Sequence, residues 1–303
     1  MVIITELLAP IVLSESVMEK ASYLVDVHWL SQHLADPDVV IIDTRFTLSD
    51  SGYGQSQYEV GHIPGAYYLD LNKDLSSTPA QHGGRHPLPS WDAFVNKLSR
   101  VGIYSDASQR STAKKPTQVV VYDNSRFAFA ARLWWMLRYL GHEQVAILDG
   151  GIQAWSSAGF PLSSEIPAEK IGDFQPVPQP DWIVDRETLQ QRKDLPNVVV
   201  IDSRAPERWR GEVEPIDPIA GSVTGSINSF WKDVTTESGL LKSTDELAHH
   251  WSSTHSEDEV IAYCGSGVTA CVNLFSLVMA GHPMHKLYPG GWSDWCSYLD
   301  EAN

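Results

Sequence analysis

The 303-residue chain reads as an α/β protein of two similar domains in tandem, each a mainly parallel sheet flanked by helices. Three observations predict this. A long block of sequence occurs twice. Its apolar runs are continuous in valine and isoleucine rather than alternating, as strands buried on both faces require. Long apolar segments that end in glycine, a common residue just past a helix, follow the strands. The length also exceeds what one small core needs and suits two.

Taken in order, "VVIIDTR" (39–45) is the first long strand and its exit, and "VVVIDSR" (198–204) repeats it. "GHIPGA" (61–66) parallels "GSVTGS" (221–226), with Ser222 where the first copy has His62. "VVVYDNSRFAFAARLWWMLRYLGHEQVAILDGGIQAW" (119–155) then aligns with "VIAYCGSGVTACVNLFSLVMAGHPMHKLYPGGWSDW" (260–295). Each has a strand ending in tyrosine, a bend, an apolar helix closed by Gly-His, a short strand and a Gly-Gly turn leading to tryptophan. Gly141 and Gly281 are the expected helix stops. The domains are expected at 20–162 and 181–303. The segment 163–180, with four prolines, reads as the linker between them.

Composition narrows the function. Lys and Arg total 22 against 38 Asp and Glu, a net charge of −16. Nucleic acid and anionic membrane are therefore not expected partners, since both call for clustered positive charge. No apolar run reaches the roughly 18 residues of a membrane span. The start "MVIITELLAPIVLSES" lacks the basic leader and cleavage site of a secretion signal. Cys264, Cys271 and Cys296 match neither a zinc pattern nor a C-x-x-C motif, so thiols in a reducing cytoplasm are expected, with no metal and no cofactor. The histidines of "ELAHHWSSTHSEDE" read as solvated rather than as a metal site.

The halves agree where packing sits and diverge at the bend. One bend begins with Asp123, the other with Cys264 followed by Gly265, Ser266, Gly267, Val268 and Thr269. A helix starting near Val268 or Thr269 points its positive end at Cys264, and glycines let N–H groups converge there. Both effects favour a thiolate nucleophile. A buried cysteine that only packs is the plainer alternative. Cysteine phosphatases need an arginine at the sixth place after the cysteine, and Ala270 stands here. A sulfur cargo, held as a persulfide, fits the cradle better. Cys271, two turns further along the same helix, is expected in the core, and Cys296 in packing or at the surface. Trp134, Trp135, Trp231 and Trp292 are candidate cleft walls.

These motifs, together with "GHIPGAYYLDLNKDLS", "GGRHPLP", "LDGG" and "RWRGEVEPIDPIAG", resemble the tandem-domain rhodanese-like sulfurtransferases over residues 20 to 299. The resemblance implies an inactive first domain with Asp123 in place of cysteine and a persulfide-forming Cys264 in the second. It implies a small anionic sulfur donor, 3-mercaptopyruvate favoured by the uncharged loop and thiosulfate the alternative. The acceptor would be a small thiol, cyanide or a thioredoxin-like protein. A non-enzymatic sulfur-carrier or scaffold module is the reading from a different class. Arg208 matches the family's substrate-binding arginine; a surface ion pair with Glu207 or Glu212 is the other role open to it. The family's second arginine, after Glu-Pro, is missing at Ile216, and Arg210 is the nearest substitute. His62 with Ser266, and Asp50 upstream, match a proposed proton relay. A turn-pinning hydrogen bond is the alternative for His62.

Overall fold

A computed structural model describes residues 23–108, 115–255 and 257–299; the N-terminal tail lies outside the described residues. The first domain opens with β1 (Leu24–Val25) and α1 (Val27–His33), whose Asp26 side chain accepts from the Trp29 N–H at 2.7 Å and caps the helix. Then come β2 (Val39–Asp43), α2 (Tyr53–Val60), β3 (Tyr67–Tyr68), α3 (Trp91–Arg100), β4 (Gln118–Tyr122), α4 (Ala130–Tyr139), β5 (Val145–Leu148) and α5 (Gly151–Ser157). The strands pair in parallel in the order β1-β5-β4-β2-β3.

The second domain repeats the plan. It runs α6 (Arg186–Arg192), β6 (Val198–Asp202), α7 (Pro206–Trp209), β7 (Ile227–Asn228), α8 (Thr244–His250), β8 (Glu259–Tyr263), α9 (Ala270–Met279), β9 (Lys286–Leu287) and α10 (Gly291–Ser297). Its parallel order is β7-β6-β8-β9, and Ile183 bridges Leu287 where the first domain has β1 beside β5. Strands buried on both faces explain the unbroken Val/Ile runs.

The repeated Asp-x-Arg motif has a packing role in both halves. Arg45 pairs with Asp43 and Arg204 with Asp202, each at 2.6 Å and buried. Each guanidinium also donates to a glycine carbonyl of the following motif, Arg45 to Gly61 and Arg204 to Gly221. That shared contact accounts for the two motifs recurring together. The 163–180 segment lies along the first domain: Lys170, Gly172, Asp173 and Val177 donate backbone N–H groups to Arg100, Ser99, Ile103 and Leu140.

The domains meet through α4 and α9. Every residue of α4 except Arg138 is buried, and α9 is buried from Ala270 to Leu277. A helix apolar on all sides needs cover on all sides; here the sheet covers one side and the other domain's helix the opposite one. Trp134 meets Phe275 edge-to-face at 5.0 Å across this seam. Trp134 and Trp135 are therefore core, and Trp292 is buried under Arg204; of the four tryptophans considered, Trp231 alone lines the cleft.

Candidate active site

β8 ends at Tyr263 and delivers Cys264 to the carboxyl edge of its sheet, where ligands of open α/β sheets bind. The bend that follows leads to α9, whose N-cap is Thr269. Its two leading carbonyls are turned away from the cleft: Trp292 N–H donates to Cys264 O at 2.8 Å and Ser293 N–H to Gly265 O at 2.9 Å. Gly267 sits at φ +70°, and a Cβ there would stand 2.3 Å from Pro289 O, so no other residue fits without moving the loop.

The first domain shows what such a loop holds. Asp123 Oδ1 accepts from the N–H groups of Ser125 (2.8 Å) and Phe127 (3.3 Å), and Oδ2 from those of Phe129 (2.9 Å) and Ala130 (3.0 Å). This loop is an anion cradle filled by its own first residue. Burial nonetheless pushes the Asp123 carboxyl upward, against those four bonds. In the second loop the matching positions are Ser266, Val268, Ala270 and Cys271. The N–H groups of the first three have no backbone acceptor among the described residues.

Cys264 opens on a cleft of about 840 Å³ walled by both domains. Ser266, Val268 and Thr269 line it with Gly265, while Gly267 turns behind them. Arg208 reaches the cleft from α7, held by Glu214 (2.7 Å to Oε1) and Asp217 (3.3 Å to Oδ2). Its ion partners are thus neither Glu207 nor Glu212. Arg210 pairs with Glu212 at 2.7 Å, away from the cleft, and does not substitute for a second arginine. Ile216 lines the cleft as an apolar wall.

His62 is not in the cleft, which corrects the relay reading. It is fully buried, with Nδ1 2.7 Å from Tyr58 O and Nε2 3.1 Å from Glu165 O, and so ties the end of α2 to the 163–180 segment rather than to the turn that follows it. Asp50 lines the cleft mouth and caps the Gly52 N–H. The histidine that meets Ser266 is His86, Nδ1 to Oγ 2.7 Å. Burial, with the charges of Arg132 and Arg85 behind it, pushes His86 down to about 4, so the ring is neutral at pH 7. It orients the Ser266 hydroxyl as a neutral partner rather than as a standing acid.

Besides His86, two further residues belong here that were not singled out from the sequence. Arg85 lines the cleft beside His86 and pairs with Asp217. Arg132, on α4 and fully buried, donates to Gly267 O (3.0 Å), His86 O (3.2 Å) and Leu75 O (3.4 Å), while its Nε has no partner among the described residues. The signal was present in "GGRHPLP": the second copy has no Arg-His there, so the segment breaks the repeat. Cys271 lies behind the loop, its thiol pushed up to about 12 by burial.

His86 and His285 are both held near 4 by burial, against about 6.5 unfolded. The sign follows: the fold favours the neutral rings, so their contribution is complete above pH 6.5 and is lost as pH falls from 6.5 toward 4. On the order of 2 kcal/mol of stability per ring is expected to vanish between pH 7 and 4.5. His285→Gln should flatten the loss in urea melts; an unaltered slope would contradict it.

Comparison with known proteins agrees with this geometry. The rhodanese-like domain matches residues 26–158 and again 185–298. A Pseudomonas aeruginosa protein named "Probable 3-mercaptopyruvate sulfurtransferase" is 41% identical over 91% of this chain and 95% of its own length. SseB of Mycobacterium tuberculosis, whose name provisionally makes it a thiosulfate sulfurtransferase, is 37% identical over 86% of this chain and 89% of its own. The crystal structure of SseA from Escherichia coli, a 3-mercaptopyruvate sulfurtransferase, superposes with a TM-score of 0.75 at 31% identity, covering 90% of this chain and all (100%) of that one. The chain belongs to the rhodanese-like family of sulfurtransferases, as a tandem of two such domains. The non-enzymatic module considered from sequence gives way to this enzyme class. No helix among the described residues is long and apolar enough to cross a membrane.

Proposed function

We propose that the chain moves a sulfane sulfur from 3-mercaptopyruvate to a thiol acceptor through a persulfide on Cys264. The observation that carries the choice of donor is the charge balance around the cysteine. The loop side chains are uncharged, and Arg208 already faces Glu214 and Asp217. A donor with one carboxylate suits such a site better than the dianion thiosulfate. The P. aeruginosa and E. coli relatives bear names of the same activity; the M. tuberculosis relative keeps thiosulfate as the second reading.

The Cys264 thiolate attacks the donor sulfur. The new S–S bond forms as the donor C–S bond breaks, and the bonding pair leaves as the pyruvate enolate. The proton carried by the donor thiol ends on the enolate carbon, with Ser266, held by His86, beside its path. The persulfide is left as an anion facing the loop N–H groups and the N-terminus of α9. A thiolate acceptor, small or thioredoxin-like, or cyanide, then takes the outer sulfur and restores the Cys264 thiolate. A reducing, cytoplasmic setting goes with this reading; no disulfide links the three cysteines.

The test is a steady-state comparison of kcat/KM for 3-mercaptopyruvate and thiosulfate with one thiol acceptor. A clear preference for mercaptopyruvate is expected, and a preference for thiosulfate overturns the donor choice. Arg208→Ala should raise KM for mercaptopyruvate about tenfold or more, the worth of one charge-assisted hydrogen bond, with a smaller effect on kcat. An unchanged KM would remove Arg208 from the donor site.

A further inference from the structure

The 82–86 segment is a strap from the first domain fastened to the second. His82 Nδ1 lies 2.8 Å from Ser297 Oγ. Gly83 N–H donates to Asp294 Oδ1 at 2.6 Å, and Arg85 N–H to Ser293 Oγ at 3.0 Å. His86 meets Ser266. Gly84, at φ +83°, lies so close that a Cβ would stand 2.3 Å from Gly290 O. The backbone on both sides of Arg85 is therefore fixed, and its side chain enters the cleft from an anchored root.

Its guanidinium shares one spot with that of Arg208. A Cβ built on Gly265 would stand 2.8 Å from Arg85 Nη2 and 3.6 Å from Arg208 Nη2. Two guanidinium groups around one point repel unless an anion lies between them. Asp217, its side chain 2% exposed, takes that place: Oδ1 accepts from Arg85 and Oδ2 from Arg208. Glu214 is divided in turn between Arg208 and Arg204, and Asp202 balances Arg204. Cation is matched by carboxylate throughout, yet Arg85 Nη2 and Arg208 Nη1 donate to no acceptor among the described residues, beside the cysteine loop.

We propose that Arg85 is the second cation of the donor site, supplied across the domain boundary by the strap, and that Asp217 tunes the Arg85–Arg208 pair to a singly charged donor. The carboxylate of the donor takes the spare N–H groups of the two guanidinium forks, which suit a planar carboxylate. Asp217 and Glu214 already offset the charges of the two guanidinium groups, so one donor carboxylate is held by the directed N–H groups, and a second negative charge on the donor finds no cation waiting. A structural staple between domains would need only the Arg85–Asp217 pair, without N–H groups aimed at the loop.

The inference rests on the proposed donor, so the deciding probe is independent of the donor. Cys264 is alkylated with iodoacetate, an anion, and with iodoacetamide, its neutral counterpart, and the modified peptide is identified by mass. In Arg85→Gln the iodoacetate-to-iodoacetamide rate ratio should fall about tenfold, the worth of one charge-assisted contact, and Arg85→Lys should keep part of it. In Asp217→Asn the ratio should rise, and kcat/KM should shift toward thiosulfate. An unchanged ratio in folded Arg85→Gln overturns the proposal. Should that variant not fold, Asp217→Asn decides, and a ratio that does not rise overturns it. Failure of the wild type to use either donor would sink the reading of function and leave the alkylation result standing.

Discussion

Cys264→Ser is expected to remove turnover with either donor, lowering kcat/KM by at least about 10³-fold, as loss of a covalent nucleophile does. An alcohol oxygen at neutral pH has neither the ionisation nor the polarisability to attack a donor sulfur. The exchange is nearly isosteric and Cys264 is only 2% exposed, so the side chain keeps its place. The hydroxyl faces the same loop N–H groups, and unfolding free energy should change by no more than about 1 kcal/mol. Release of pyruvate from mercaptopyruvate and of sulfite from thiosulfate, followed alongside a urea melt, checks both halves. A serine variant that retains activity would end the persulfide mechanism; one that is inactive because it is unfolded would say nothing about it, and the melt separates the two.

Gly267→Ala should show the second largest effect, on fold and kinetics together. The φ of +70° alone costs a non-glycine residue about 1 kcal/mol, and the clash with Pro289 O adds to it, giving roughly 2–4 kcal/mol in all. Relief of the clash must shift the loop, and with it the N–H groups that face the sulfur. Displacement of such donors by a fraction of an ångström is expected to lower kcat/KM by about 10²-fold. Gly281→Ala is the matched control. Its φ is +94° and nothing stands within 4 Å of an added Cβ, so it should cost about 1 kcal/mol and leave kinetics alone. Equal kinetic loss in both variants would show that the Gly267 effect is general destabilisation.

The fold could be read from the chain because the repeat is local. Strand, bend, helix and Gly-Gly turn each occupy a continuous stretch, and two copies in register cross-check every boundary. Cys264 stood out for the same reason, since the bend that differs from its twin is a continuous motif. The composite part of the site was legible only in pieces. His86 meets Ser266 from 180 positions away, and Arg132 reaches Gly267 from 135, in contacts that no periodicity encodes. His62 drew attention because it sits in a motif, yet both its ring nitrogens are taken by backbone carbonyls, Tyr58 O at the end of α2 and Glu165 O in the 163–180 segment. The fully buried α4 and α9 carried a readable message in their all-round apolarity, which calls for a partner, though not which one.

Asp123 and the strap together bear on descent. A duplicated domain that loses its nucleophile is ordinarily free to decay or be deleted. Here the first copy has closed its own cradle with a carboxylate, so restoring a cysteine at 123 would strip four backbone donors of their acceptor. The second copy, meanwhile, has its cysteine loop braced by Arg132 and its Ser266 held by His86, both encoded in the first. The site of the second copy is complete only with the first beside it, and substitutions along 82–86 are answerable to residues 266 and 290–297, in a domain that begins about a hundred positions later.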